Sequence, residues 1–417
     1  MARQNGDVSI GTNWAGYHEY RASTLHRPSS LDELQAVVAA SPRIRALGSR
    51  HSFNDLADSA ELITLEGMDP AIVIDEETET VSFSAGLTYG SLGIVLQNAG
   101  WALRNLASLP HISVAGAIAT STHGSGVNNA TLARAVSGLE IVTASGELRI
   151  MSPVDPEFDG AVVSLGALGI VSRITLDIEP TFDVRQDVYS GLTWTSLLEN
   201  YEVIVSRAYS TSIFTRWVDD AVGDVWLKSR TADRRPPQDL YGATRAPAEL
   251  HPLPGADTSS TTTQGGIPGP WIDRLPHFRM GFTPSNGDEL QTEYIVPRVH
   301  AVQAIQAIRA LGERIAPHLY VSELRTMAAD SLWLSGAYET DAVGIHFTWK
   351  FEPDSVLPLL PVIEEALAPF DARPHWGKLF HSVRRELYPK LGDFVALADE
   401  FDPGGKFRND YLARNLF

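Results

Sequence analysis

The sequence predicts an α+β fold built from more than one domain. Three observations carry this. Short strand-like and helix-like segments alternate over the first 180 residues. After Pro180 the texture changes, with Trp194, Tyr201, Trp217 and Trp226 spacing out longer elements. And 417 residues exceed what one ordinary hydrophobic core organises.

The first part reads as mixed short strands with flanking helices. Ser30 followed by Glu33 makes a capping box, with Leu34, Val37 and Val38 at helical spacing behind it. A strand from about Arg43 to Leu47 ends in Gly48-Ser49-Arg50-His51-Ser52. Strands follow at Leu62 to Leu65, Ile72 to Ile74 and Val81 to Ala85. Tyr89 to Ala99 is an amphipathic helix stopped by Gly100. Leu139 to Thr143 and Glu147 to Ile150 form a hairpin over Ser145-Gly146, and Val171 to Ile178 alternates up to Pro180. Residues 231 to 276 are rich in Pro, Gly, Thr and Ser and read as a long loop, either a lid or a surface insertion. Val302, Ile305, Ile308 and Leu311 mark a helix. Three polar-faced strands are expected near 322, 346 and 376.

Composition narrows the function. Apolar residues make up 44% and charged residues 20%, as in ordinary globular proteins. A net charge of -18 repels phosphate backbones, so nucleic acid is not an expected partner. There are no cysteines, which removes disulfides, thiolate nucleophiles and Cys-ligated metals. No HExxH or similar spacing points to a metal hydrolase, and no metal is expected. The opening MARQNGDVSIGTNW has no apolar core of the secretory kind, and no run approaches a membrane span. A cytoplasmic, soluble protein without a membrane partner is the expectation.

Two loops stand out. Gly48 to Asn54 ends a strand in glycine and small hydroxyl residues, a turn that exposes N–H donors to phosphate oxygens. Asn105 to Gly126 mixes Ile112, Val114, Ala115, Ala117 and Ile118 with many hydroxyls and almost no charge. A chain wrapped closely around a flat, phosphate-bearing molecule needs both. The Gly-x-Gly at 124 to 126 lacks the third glycine and preceding strand of a nicotinamide site.

Gly-Ser-x-His-Ser, followed some fifty residues on by Ser108-Leu-Pro-His-Ile-Ser-Val-Ala-Gly-x-x-Ala-Thr-x-Thr-His-Gly-Ser-Gly126, resembles the FAD domain of the vanillyl-alcohol-oxidase superfamily, nearest the alditol (xylitol) oxidases. The resemblance extends through Ser164 to Gly169 and the tail Asp402 to Phe407. It implies a two-part PCMH-type FAD-binding domain of mixed short sheets over 1–180. A substrate-binding cap domain with a large antiparallel sheet and flanking helices covers 181–378, and 379–417 returns to the FAD-binding domain. It also implies FAD held covalently through His51. Ala46, Leu47, Gly48, Ser49, Arg50 and Ser52 cradle one side. Ser108, Ser113, Gly116, Thr120, Ser121, Thr122 and His123 line the other, with Val171 adding a contact. The family usually has glycine where this chain has Arg50. Arginine is costly there if the position needs positive φ; otherwise it is free to pair with a phosphate.

The second half supplies polar faces. In Val343 to Trp349 the odd positions are apolar, so His346 and Thr348 share the other face. Glu323 and Arg325 share a face, and Lys378 follows Trp376 by two. Each pair alone also suits a solvent-facing strand; together, on segments expected in one sheet, they suit a site. Oxidising an alcohol at a flavin needs positive charge near the reacting oxygen and a route for its proton. Lys378 and Arg325 supply charge, and His346 is the acceptor or relay. The resemblance implies Ser108, Glu323, Arg325, Thr348 and Lys378 as substrate contacts. The expected function is oxidation of the terminal hydroxyl of a small polyol such as xylitol or sorbitol by a monomer, with O2 as acceptor. The alternative is an aldonolactone oxidase or dehydrogenase of the same superfamily; a protein that fails to attach flavin would leave a non-catalytic binding module.

Overall fold

A computed structural model describes residues 10–282 and 288–417. Residues 1–9, on which part of the expectation of no leader rests, lie outside the described residues. The first part holds a parallel three-stranded sheet in the order Thr24–His26, Glu61–Ile63, Ile44–Ala46. Beside it is an antiparallel five-stranded sheet in the order Val73–Asp75, Thr80–Ser84, Ile170–Asp177, Val136–Val142, Leu148–Met151. The strand and hairpin expectations for this half agree within a residue or two at their ends, except that the strand expected from Leu139 begins three residues earlier, at Val136. Helix Leu31–Ala40 begins where Ser30 Oγ accepts Glu33 N–H at 3.2 Å. The box is shifted by one residue, because the Glu33 carboxylate takes the Ser29 N–H at 2.8 Å.

The second part is one large antiparallel sheet of ten strands. Its middle runs Asp183–Ser190, Asp224–Arg230, Ser210–Thr215, Leu319–Met327, Ala342–Lys350, Glu289–Pro297. The alternation read in the sequence is what the sheet does. Val343, Ile345, Phe347 and Trp349 pack in a core with helices Ala301–Ala310 and Leu360–Leu367, and His346 and Thr348 face the opposite way into a cavity. A separate core joins the smaller sheets to the C-terminal helices Leu391–Phe401 and Asp410–Asn415 through Phe394, Leu397, Phe401, Phe407, Tyr411 and Leu412.

The tail docks through Asp402, which is fully buried and accepts the backbone N–H groups of Lys406 at 2.7 Å and Phe407 at 2.8 Å. Asp402→Ala leaves both N–H groups unpaired inside the core. It is expected to lower stability by about 2–4 kcal/mol in urea unfolding, with the substrate half of the cavity unchanged.

Two expectations need correction. The segment near 376 is not a strand: Arg373–Pro374 pairs with Glu289–Pro297 as a two-residue strand, and beyond it only an isolated parallel bridge from Leu379 to Thr292 remains. Pro374 removes a donor and the chain then turns, with Lys378 N–H on His375 O at 3.0 Å, while Trp376 drops into the first core. The Asn105–Gly126 wrap is not all loop either; its apolar residues form helix Val114–Ala119, burying Val114, Ala117 and Ile118. The 231–276 segment contains short strands Asp239–Leu240, Ala243–Arg245 and Gly269–Pro270, and Thr261, Thr262 and Gln264 are buried. Its part from Thr261 on packs against the sheet, while most of residues 231–260 is exposed.

Candidate active site

One cavity of about 380 Å³ runs between the two parts and touches both unusual loops. On the smaller-sheet side, strand Ile44–Ala46 feeds the turn that carries His51. A Cβ at Gly48 would stand 2.5 Å from Ser113 Oγ, so a side chain there would force the Ser113 hydroxyl to move. Gly116 is under the same constraint, at 2.7 Å from that oxygen. Ser49 Oγ accepts the Ser113 N–H at 2.8 Å, which ties the two loops together. Ala46, Leu47, Ser52, Ser108, Thr120, Thr122, His123 and Val171 also line the cavity. Ser121 does not: it sits at φ 56 and its hydroxyl turns away to Ser335 Oγ at 3.1 Å. The tight turn after helix Val114–Ala119, unseen in the sequence, reverses its side chain.

Arg50 resolves between its two readings. Its φ is 62, the left-handed region that favours glycine. Its guanidinium donates to Ile10 O at 2.6 Å and lies over the Tyr20 ring at 5.8 Å, so its charge is engaged with the N-terminal segment. His51 beside it has a buried Nδ1 with no hydrogen-bond partner. Trp14 stacks on its ring at 5.5 Å. Burial, then His111 and Lys378, push the imidazole down to about 4, so it is neutral at working pH. An orphaned neutral ring nitrogen beside a glycine-lined cradle fits a flavin dinucleotide.

The large sheet supplies the other wall. Glu293, His346, Glu323 and Phe214 stand in one row across four strands. Arg325 Nη1 donates to Ser108 Oγ at 3.1 Å, with Nε 3.5 Å from Glu323 Oε1 and Nη2 3.6 Å from Glu293 Oε1. Lys378 Nζ bonds Gln291 Oε1 and lies 3.5 Å from His346 Nε2, which is 3.2 Å from the same oxygen. Burial pulls Lys378 down to about 8 against the opposing pull of Glu293. Burial, reinforced by Lys378, takes His346 to about 3. Burial alone would raise Glu293; His123, 3.0 Å away in an oblique contact, with Arg325 and His346, instead holds it well below its usual range. Glu323 is lowered in the same way by Arg325 and His277 against the effect of burial.

All the residues expected to bind substrate therefore meet in this cavity. Those expected for the cofactor do so too, with the exception of Ser121. The sequence reading missed Glu289, Gln291 and Glu293, which reach the cavity from Glu289–Pro297. The alternation of Leu290, Thr292 and Tyr294 with these polar residues is the signal that locates them. It also missed His375, brought in by the turn that replaces the expected third strand.

Comparison with known proteins agrees with this architecture. A family described as FAD binding domain matches residues 22–152, and one described as D-arabinono-1,4-lactone oxidase matches 286–415. An alditol oxidase of a Streptomyces species is 45% identical over 96% of this chain and 97% of its own length. This chain belongs to the alditol oxidase family of the vanillyl-alcohol-oxidase superfamily. More distant is an L-gulono-1,4-lactone dehydrogenase of Mycobacterium tuberculosis, 30% identical over 98% of this chain and 99% of its own length. Cholesterol oxidase of Brevibacterium sterolicum shares the fold, with a TM-score of 0.77 over 98% of this chain and 96% of that one at 14% identity. No helix among the described residues is long and apolar enough to cross a membrane.

Proposed function

We propose that the protein is an FAD-dependent alditol oxidase. It oxidises the terminal C1 hydroxyl of a polyol such as xylitol or sorbitol to the aldose, with O2 reduced to H2O2 and FAD bonded to His51. The observation that carries this is a single cavity holding His51 at one wall and the Lys378–His346–Arg325 face at the other.

FAD, when bound, supplies the two-electron acceptor for the carbinol C–H. The Gly48–Ser52 turn and the Ser108–His123 stretch would hold it, and the free Nδ1 of His51 is the nitrogen available for attachment. The protein residues do the rest. Lys378 and Arg325 stabilise negative charge growing on the reacting oxygen. His346 Nε2, beside Lys378 Nζ, is placed to take the hydroxyl proton, which leaves in the product H2O2. Ser108, Glu323 and Thr348 bind and orient the remaining hydroxyls. On the large-sheet side of the cavity the carboxylates Glu289, Glu293 and Glu323 outnumber the cations Lys378 and Arg325, which disfavours an acidic sugar there and suits a neutral polyol.

The second reading, an aldonolactone dehydrogenase, is favoured by the lactone-oxidase match over 286–415. Turnover of xylitol against gulonolactone under air, with peroxide release measured, separates them. Xylitol oxidation with one H2O2 per aldose is expected; lactone turnover without peroxide would overturn the proposal. We take the working protein to be a cytoplasmic monomer; sedimentation at about the chain mass of 45.4 kDa is the expected result, and a mass twice that would overturn the monomer.

A further inference from the structure

From the cavity lining at His277 a buried polar chain, to which the reaction assigns no role, runs back behind the wall. Lys228, on strand Asp224–Arg230, is 1% exposed. Its Nζ donates to Leu275 O at 2.6 Å and Pro276 O at 3.0 Å, and lies 3.0 Å from His277 Nδ1. An ammonium has three donors. With two given to carbonyls, the third falls to Nδ1. A neutral His277 so held carries its hydrogen on Nε2, which is 2.7 Å from Glu323 Oε1. The imidazole is fixed edge-on between Phe214 and Trp226, with ring centres at 5.5 and 5.4 Å. Burial and the neighbouring Lys228 lower His277 to about 4, which keeps it neutral. Burial lowers Lys228 to about 7 against the pull of Glu323, so the ammonium persists below neutral pH.

The same segment also grips the facing loop. The N–H groups of His277 and Phe278 both donate to Ser108 O, at 3.1 and 3.3 Å. Thr262 braces the segment from behind, its hydroxyl on Pro276 O at 2.8 Å. One stretch at the end of the long segment thus stands between two cavity residues and fixes both.

We infer that Lys228 and His277 are positioning residues for Glu323: the lysine sets the His277 tautomer, and the Nε2–H holds Oε1 so that the other carboxylate oxygen is left for a substrate hydroxyl. This rests on the assignment of Glu323 to substrate binding above. Lys228 lies outside the cavity, and His277 lines it beside Glu323, the group it holds. Their loss changes how Glu323 is presented and leaves the charge at the reacting oxygen as it was. The signature is in KM.

Flavin-loaded protein is assayed with xylitol slightly below neutral pH. Lys228→Met and His277→Leu are expected to raise KM about tenfold, the value of one charge-assisted hydrogen bond, with kcat within about threefold of wild type. Bound flavin and the thermal midpoint are recorded to exclude a merely structural loss. His277→Gln, which keeps an N–H donor, is expected to restore most of the affinity. In a Glu323→Ala background each change should add less than about twofold, because the group being positioned is gone. A wild-type KM in Lys228→Met, or a full additional rise in the Glu323→Ala background, overturns the relay. If His277→Leu does not fold, Lys228→Met and its additivity decide alone. A wild-type KM in Glu323→Ala itself overturns the substrate assignment instead.

Discussion

Lys378→Met is expected to lower kcat for xylitol by about 10²–10³-fold, the cost of removing one pre-positioned charged donor at a developing oxyanion. Methionine retains the length and apolar stem that pack over the Phe53 ring, 5.3 Å from the ammonium. The loss is therefore of charge rather than of packing. The pH profile gives a second, independent readout. Burial has lowered this ammonium to about 8, so the charged, active form dominates below that pH and is lost above it. The wild-type kcat should be level up to about pH 8 and fall towards tenfold per unit beyond it. His346 is neutral down to about 3 and adds no acid limb of its own in the working range. In Lys378→Met the residual activity should lose the alkaline limb. A variant with near-wild-type kcat, or one that keeps the same limb, would show that another group carries the charge.

How far this site was legible in the sequence depended on which force placed each residue. Where a side chain is set by strand alternation, the sequence sufficed: Val343, Ile345, Phe347 and Trp349 had to face a core, which left His346 and Thr348 for the cavity. The same rule, applied to Leu290–Tyr294, locates Glu293, whose buried carboxylate ties Arg325 and His123 to one centre. Lys378 was found for the wrong structural reason. It reaches the cavity from a turn imposed by Pro374 and the burial of Trp376, a tertiary effect that no period encodes. Ser121 went astray for a related reason, since a positive φ reverses the side chain and only the folded turn reveals it. Lys228 and His277 were out of reach altogether. They are separated by 49 positions and become neighbours only because a segment without periodicity is stitched to the sheet. Loops of glycine, threonine and proline state that the chain bends, and leave unstated what it bends onto.

The attachment of the cofactor gives the other large effect. In His51→Ala, acid precipitation is expected to leave a colourless pellet and a yellow supernatant, whereas wild-type protein should carry its colour into the pellet. The physical case starts from Nδ1, which is buried and without a partner, an arrangement that a folded protein seldom leaves unused. The ring is neutral, since burial, reinforced by His111 and Lys378, holds it at about 4, and a neutral imidazole has the lone pair that attack on a flavin carbon requires. Trp14 fixes the ring plane from one side. Arg50 sets the backbone in a left-handed conformation costing about 1 kcal/mol and offsets that cost through its bond to Ile10 O, so the family's glycine is replaced here without turning His51 out of the cavity. The cradle made by Ser49, Ser113 and the two glycines does not depend on the imidazole. The variant is therefore expected to bind FAD reversibly when the cofactor is added, and to lose it on gel filtration at low concentration. Colour retained in the His51→Ala pellet would place the bond on another residue, and a wild-type protein without flavin would remove the oxidase assignment with it.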